Sequence, residues 1–232
     1  MFGKLLPLLT LAVAAIAVWS VSAWRSGRSL RRESRPLQND QLDALIERLA
    51  QAADLPSVQV RLLENPIPNG MVTASGDIYL TRGLFKHFQS GRLTGPEIAS
   101  VVAHELGHLA LGHTKRRMVD IAGAQAAQLV LGGILARFIP FFGWAVARLM
   151  SGWFIASLSR KDEFEADAFA TALLMRAGFG ADPQVRMLEK LGGLLPAGTL
   201  DEGRSWLASH PPVAERTAAI KENAQRWGAA KV

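Results

Sequence analysis

The 232-residue chain is 49% hydrophobic, which argues against disorder and allows one packed domain plus an anchoring or targeting segment. It contains no cysteine, so disulfides, thiolate metal sites and thiol nucleophiles are excluded and any transition metal must be held by His, Asp or Glu. Of the formal charge of +6, residues 1–35 supply +5 and the rest of the chain only +1 with signs interspersed, which points to a membrane flank and away from nucleic-acid binding.

Leu5 to Trp24 is a nearly unbroken apolar run without charge, about the length that crosses a bilayer as a helix. It reads as a retained anchor over residues 1–24, although Val21-Ser22-Ala23 would also suit a cleavage site. The arginine cluster follows the run, so the positive-inside rule puts the C-terminal domain in the cytoplasm, with an exported domain as the alternative. A basic linker over residues 25–37 leads to the main domain, 38–232.

Gln38–Ala53 carries Leu42, Leu45, Ile46 and Leu49 at helical spacing. Ser57–Leu62 alternates as a strand, Glu64–Gly70 is rich in turn residues, and Ser75-Gly76 marks a hairpin into a second strand, Asp77–Thr81. From Thr94 onward the pattern is helical, so the expected class is mainly α with a small β-sheet (α+β).

Thr94-Gly95-Pro96-Glu97 has the form of a capping box, with Pro96 in the first helical turn. The helix it opens contains His104-Glu105-Leu106-Gly107-His108. Four residues is just over one turn, so the two imidazoles project about 40° apart and can take two corners of a tetrahedral zinc site. Glu105 stands beside them as a general base for zinc-activated water. Ile98, Val102, Leu106 and Leu109 form an apolar stripe on the other side.

A third protein ligand is needed. Positions 111 and 114 are Leu111 and Thr114, so the longer HExxHxxGxxH register fails. His113 lies half a turn from His104 and cannot reach the same ion if the helix continues, so it reads as structural. In the acidic run from Ser159 to Asp167, Glu163 and Asp167 share a helix face. Glu163 can bind the metal while Asp167 accepts a hydrogen bond from a ligand histidine and fixes its tautomer.

These two motifs resemble the HtpX-like zinc peptidases, a group that includes the type-one CAAX prenyl protease and a mitochondrial inner-membrane protease. The similarity covers residues 40 to 225. It implies a zincin-like metallopeptidase domain, one Zn²⁺ per chain on His104, His108 and Glu163, and hydrolysis of extended protein or peptide substrates in membrane protein quality control. Further signatures are Asn69 to Thr81 and Ser209-His210-Pro211-Pro212 with Arg216. The first departs from the family pattern at Gly70, Met71 and Ala74. The resemblance makes Asp77–Thr81 an edge strand that pairs with substrate backbone, and makes His210 a catalytic residue that steadies the oxyanion.

Ile121–Leu158 is strongly apolar but interrupted by Arg137 and Arg148. It is expected as a helical insertion over 121–158, an amphipathic hairpin that packs over the cleft or dips into the membrane, with a spanning hairpin as the alternative. Two further readings compete with the protease. One is a non-proteolytic zinc-containing chaperone or assembly factor whose cleft the insertion occludes. The other is an intramembrane metalloprotease, which the polar residues of the motif helix disfavour.

Overall fold

A computed structural model of the chain describes residues 27–73, 75–139, 142–191, 194 and 211–229. The expected anchor over residues 1–24 and His210 lie outside the described residues. The elements in chain order are β1 (Ser34–Pro36), α1 (Asp40–Ala52), β2 (Val60–Leu63), β3 (Gly70–Val72), β4 (Ile78–Thr81) and α2 (Arg82–Gln89). They continue with α3 (Gly95–Ala110), α4 (His113–Phe138), α5 (Gly143–Arg176), α6 (Asp182–Leu191) and α7 (Val213–Ala229). The fold is mainly helical with one small mixed sheet, as the periodicity predicts.

The Asn39 side chain caps α1 by accepting from the Leu42 amide at 3.0 Å. Leu42, Ile46 and Leu49 then fall on one buried face, while Leu45 packs at its margin. The strands run in the order β1-β2-β4-β3, with β2 parallel to β4 and the other two pairings antiparallel. All four residues of β4 are buried. The family resemblance implied that Asp77–Thr81 is the sheet's edge, and the structure contradicts this. It is flanked by β2 on one side and β3 on the other, and the edge facing the functional site is β3.

Thr94 closes the predicted capping box: its amide donates to Glu97 Oε2 at 2.8 Å and its Oγ1 accepts from the Glu97 amide. Glu97 is wholly buried and also accepts from Lys190 Nζ at 2.8 and 2.9 Å, which ties the start of α3 to α6. Ile98, Val102 and Leu106 enter a core shared with Leu62, Ile78 and Leu80 of the sheet and with Leu173 and Leu174 of α5.

Helices α4 and α5 pack against each other as a hairpin. Beyond its root the hairpin is exposed and apolar: Leu129, Val130, Phe138, Phe142 and Leu149 are each more than 60% accessible. Of the described hairpin residues, His113, Thr114, Arg117 and Ile121 near its root line the cleft. The stretch of α4 from Ile121 to Ala136 carries no charge over more than four helical turns, with Gln125 and Gln128 as its polar side chains. Among the described residues, α4 is the helix long and apolar enough to cross a membrane.

Candidate metal centre

Helix α3 turns its apolar stripe to the core and leaves His104 and His108 on the opposite side, each with a side chain about one-seventh exposed. Helix α5 crosses behind them. Gly107 makes the crossing close: a Cβ there would lie 2.9 Å from the Ala166 carbonyl oxygen and 3.1 Å from its Cα. Ala166 is fully buried at the same contact. The two small residues let the helix backbones approach until Glu163 reaches the histidines.

Two imidazole nitrogens and one carboxylate then converge. His104 Nε2 lies 3.1 Å from His108 Nε2. Glu163 Oε2 lies 3.4 Å from His104 Nε2, and Glu163 Oε1 lies 3.4 Å from His108 Nε2. The carboxylate contacts are long for charge-assisted hydrogen bonds, which run nearer 2.8 Å. Each nitrogen faces a different oxygen of the carboxylate, and the 3.1–3.4 Å spacings are close to the about 3.3–3.4 Å between corners of a tetrahedral site with metal–ligand bonds of about 2.0–2.1 Å. Two imidazoles aiming the same nitrogen at one point, each able to bind a cation once that nitrogen is deprotonated, with a carboxylate beside them, form a donor set that fits zinc.

Asp167, one turn beyond Glu163, stands 3.0 Å from His104 Nδ1, an ion-pair distance rather than an aligned hydrogen bond. Arg216 of α7 donates to both Asp167 oxygens at 2.7 and 2.8 Å and lies 3.5 Å from Glu163 Oε2. Gln184 of α6 donates to the Asp167 backbone carbonyl at 3.2 Å, and Thr171 holds that glutamine through its Oε1 at 2.8 Å. Burial by itself would push the Asp167 pKa up, but the Arg216 guanidinium and His104 outweigh it and hold the carboxylate below its ordinary range. Burial likewise opposes charge on His104, yet the Asp167 and Glu163 carboxylates lift its pKa to about 10.

Gln184 was not singled out in the sequence, and Arg216 appeared there only within a signature, without a role. Both reach the site from separate helices, so no local spacing announces them. His113 does not join the converging groups, but it touches the far side of the His108 ring. Helix α3 ends at Ala110 and Gly112 takes the left-handed conformation with φ of 69°. His113 therefore starts a new helix and turns back, with its Nδ1 2.9 Å from His108 Nδ1. The Gly112 terminator was the signal available in the sequence.

Glu105 is buried beside β3, where a Cβ on Gly70 would come within 3.3 Å of its Oε1 and 2.5 Å of Val101 Cγ1. Only glycine lets the strand pass this close to the motif helix. The cleft between them has a volume of about 540 Å³. Its walls include Met71 and Val72 of β3, Met187 and Leu191 of α6, and Arg117 and Ile121 at the root of the hairpin.

The sequence profile of peptidase family M48 matches residues 36–224. A protease HtpX homologue of Moorella thermoacetica is 28% identical over 196 residues, covering 74% of this chain and 60% of the relative. Metalloprotease LoiP of Escherichia coli is 31% identical over 160 residues, covering 66% of this chain and 58% of its own. The mitochondrial metalloendopeptidase OMA1 of Arabidopsis thaliana is 31% identical over 167 residues, covering 69% and 30%. The chain thus spans less than two thirds of the length of each of these relatives. The profile match covers most of the chain and contains every residue of the site described above, and the chain belongs to peptidase family M48.

Proposed function

We propose that the chain is a zinc-dependent metalloendopeptidase that holds one Zn²⁺ on His104, His108 and Glu163. The observation that carries this reading is the convergence of two imidazole nitrogens and the Glu163 carboxylate within 3.1–3.4 Å of one another, beside Glu105 and an open cleft. Zinc at that point supplies Lewis acidity, which acidifies water and polarises a peptide carbonyl. Glu105 takes the proton of the attacking water on a carboxylate oxygen and delivers it to the departing amine nitrogen. Asp167, fixed by Arg216, orients His104. The outer edge of β3 pairs with the main chain of an extended protein substrate, which leaves side-chain choice to the apolar cleft walls. His210 is the candidate oxyanion donor carried by the family resemblance.

The exposed hairpin supports a membrane location, with the distal parts of α4 and α5 in the bilayer and Lys115, Arg116 and Arg117 at the headgroups. Together with the anchor expected over residues 1–24, this suits turnover of membrane-associated proteins by a catalytic domain on the cytoplasmic side. The hairpin contributes Thr114, Arg117 and Ile121 to the cleft wall and does not fill the cleft, which weighs against a purely chaperone-like module.

Zinc content and casein cleavage, measured on detergent-purified wild type and Glu105→Gln, test the reading. Wild type should carry about one zinc and cleave casein until a chelator is added; the variant should keep zinc and lose cleavage. Cleavage at the wild-type rate by Glu105→Gln would end the proposal.

A further inference from the structure

We infer that His113 is a positioning residue for the metal centre, accepting the Nδ1–H of His108 on its own Nδ1 and thereby holding the His108 Nε2 lone pair on the metal point. The inference rests on the reading above that His108 binds zinc through Nε2.

The hydrogen-bond inventory leaves one consistent assignment. His108 Nε2 faces His104 Nε2 and Glu163 and must carry a lone pair to bind a cation, so the neutral ring bears its proton on Nδ1. The partner within reach of that proton is His113 Nδ1 at 2.9 Å. His113 then accepts on Nδ1 and carries its own proton on Nε2, which points at Glu165 Oε2, 3.1 Å away. Each nitrogen has one role, and a carboxylate ends the chain. His104 meets the Asp167 carboxylate directly; His108 reaches Glu165 through an intervening imidazole.

The environment leaves little alternative. His113 is 1% exposed, so water is poorly placed to take over its hydrogen bond to His108. Glu165 is held by Arg116 at 3.3 Å and Lys161 at 3.5 Å, and Arg116 also pairs with buried Asp162. His113, Asp162 and Glu165 lie close enough together to resemble a second cation site. The Arg116 guanidinium already supplies the positive charge there, and a divalent ion would have to displace it. The cluster is therefore the support of the metal centre rather than a second one. Gly112 makes the arrangement possible, because its left-handed backbone breaks the helix between the two histidines.

Zinc affinity by chelator competition on the full chain in detergent, for wild type, His113→Asn and His113→Gln, separates positioning from packing. Asn places its amide oxygen where Nδ1 stood and can still accept from His108. Gln reaches the Nε2 position and cannot. His113→Asn should stay close to wild type, while His113→Gln should bind zinc about 10–100-fold more weakly. A packing role gives the reverse order, since Gln is the better helix former, and that order or equal affinities would overturn the inference. Should His113→Asn fail to fold, Glu165→Ala takes its place, since it removes the acceptor of the His113 Nε2–H: weakened zinc binding with unchanged melting of the metal-free chain supports the chain of bonds, and unchanged affinity overturns it. A folded wild type that binds no zinc sinks the metal reading and this inference together, whereas wild-type affinity in His113→Gln sinks the inference alone.

Discussion

Gly107 of α3 and Ala166 of α5 meet backbone to backbone, with room for no more than a hydrogen on the glycine: a Cβ would sit 2.9 Å from the Ala166 carbonyl oxygen. This contact sets how near Glu163 comes to the two histidines, because Glu163 lies less than one turn before Ala166 on the same helix. Gly107→Ala should push the helices apart by tenths of an ångström and destabilise the chain by about 1–3 kcal/mol through overpacking. Zinc affinity should fall more steeply than stability, since tetrahedral donors tolerate little displacement. Chelator competition beside urea unfolding measures both. A variant with wild-type affinity would show that the crossing does not control the site.

Arg216 and Asp167 form a bidentate pair in which both side chains are no more than 4% exposed. Arg216→Met leaves the buried Asp167 and Glu163 with His104 as their remaining cationic neighbour, and removing one member of a buried pair costs about 3–5 kcal/mol. The pH dependence follows in sign. The Asp167 pKa is depressed in the fold, so its contribution is present above the unfolded value of about 3.9 and is lost as pH falls through the folded value. Without Arg216, burial acts with less opposition and the acid-side loss should begin at higher pH. Urea midpoints from pH 7 to 3 test this; parallel curves for the two proteins would contradict it.

His104 carries its proton up to about pH 10 in the absence of a cation, because the Asp167 and Glu163 carboxylates outweigh its burial. Below the unfolded histidine value of about 6.5 this raised pKa stabilises the metal-free fold fully, and the contribution disappears as pH rises through the folded value. Zinc needs the Nε2 lone pair, so binding at pH 7.5 should release about one proton, and affinity should climb about tenfold per pH unit up to pH 9. Calorimetry in two buffers of different ionisation heat counts the proton. Identical heats in both would refute the assignment.

The sequence carried the parts of the site that depend on helical spacing. His104, Glu105 and His108 share a turn, as do Glu163 and Asp167, so their faces follow from 3.6 residues per turn. What it could not carry were the contacts made between helices. Arg216 and Gln184 sit at ordinary positions on α7 and α6, and only the packing brings them to Asp167. The sheet order was illegible for the same reason. Nothing in the four residues of β4 says that β2 will pair in parallel on one side and β3 close the other, so the edge role fell on the wrong strand. His113 stays out of the ligand group, as its sequence position suggested, but what it touches was illegible, because Gly112 breaks the helix and turns it back onto His108.

The hairpin offers a direct test of the proposed membrane setting. Val130 and Phe138 on α4 are 63% and 78% exposed, and burying a large apolar side chain is worth about 1.5–3 kcal/mol. Bilayer insertion of the distal hairpin removes many such side chains from water at once, against a cost of about 2.5–3.5 kcal/mol for an arginine forced to the midplane. Because the chain has no native cysteine, single introduced thiols report depth without interference. In vesicles, Val130→Cys should resist a water-soluble maleimide, whereas Leu55→Cys on the domain surface should react, and detergent should expose both. Phe138→Cys at the far end of α4 then separates a dip from a span. Protection from both faces of the vesicle means the tip stops within the bilayer, and reaction only from the face opposite the catalytic domain means that it crosses. Equal reaction of Val130→Cys and Leu55→Cys in intact vesicles would place the hairpin in water and remove the membrane from its explanation.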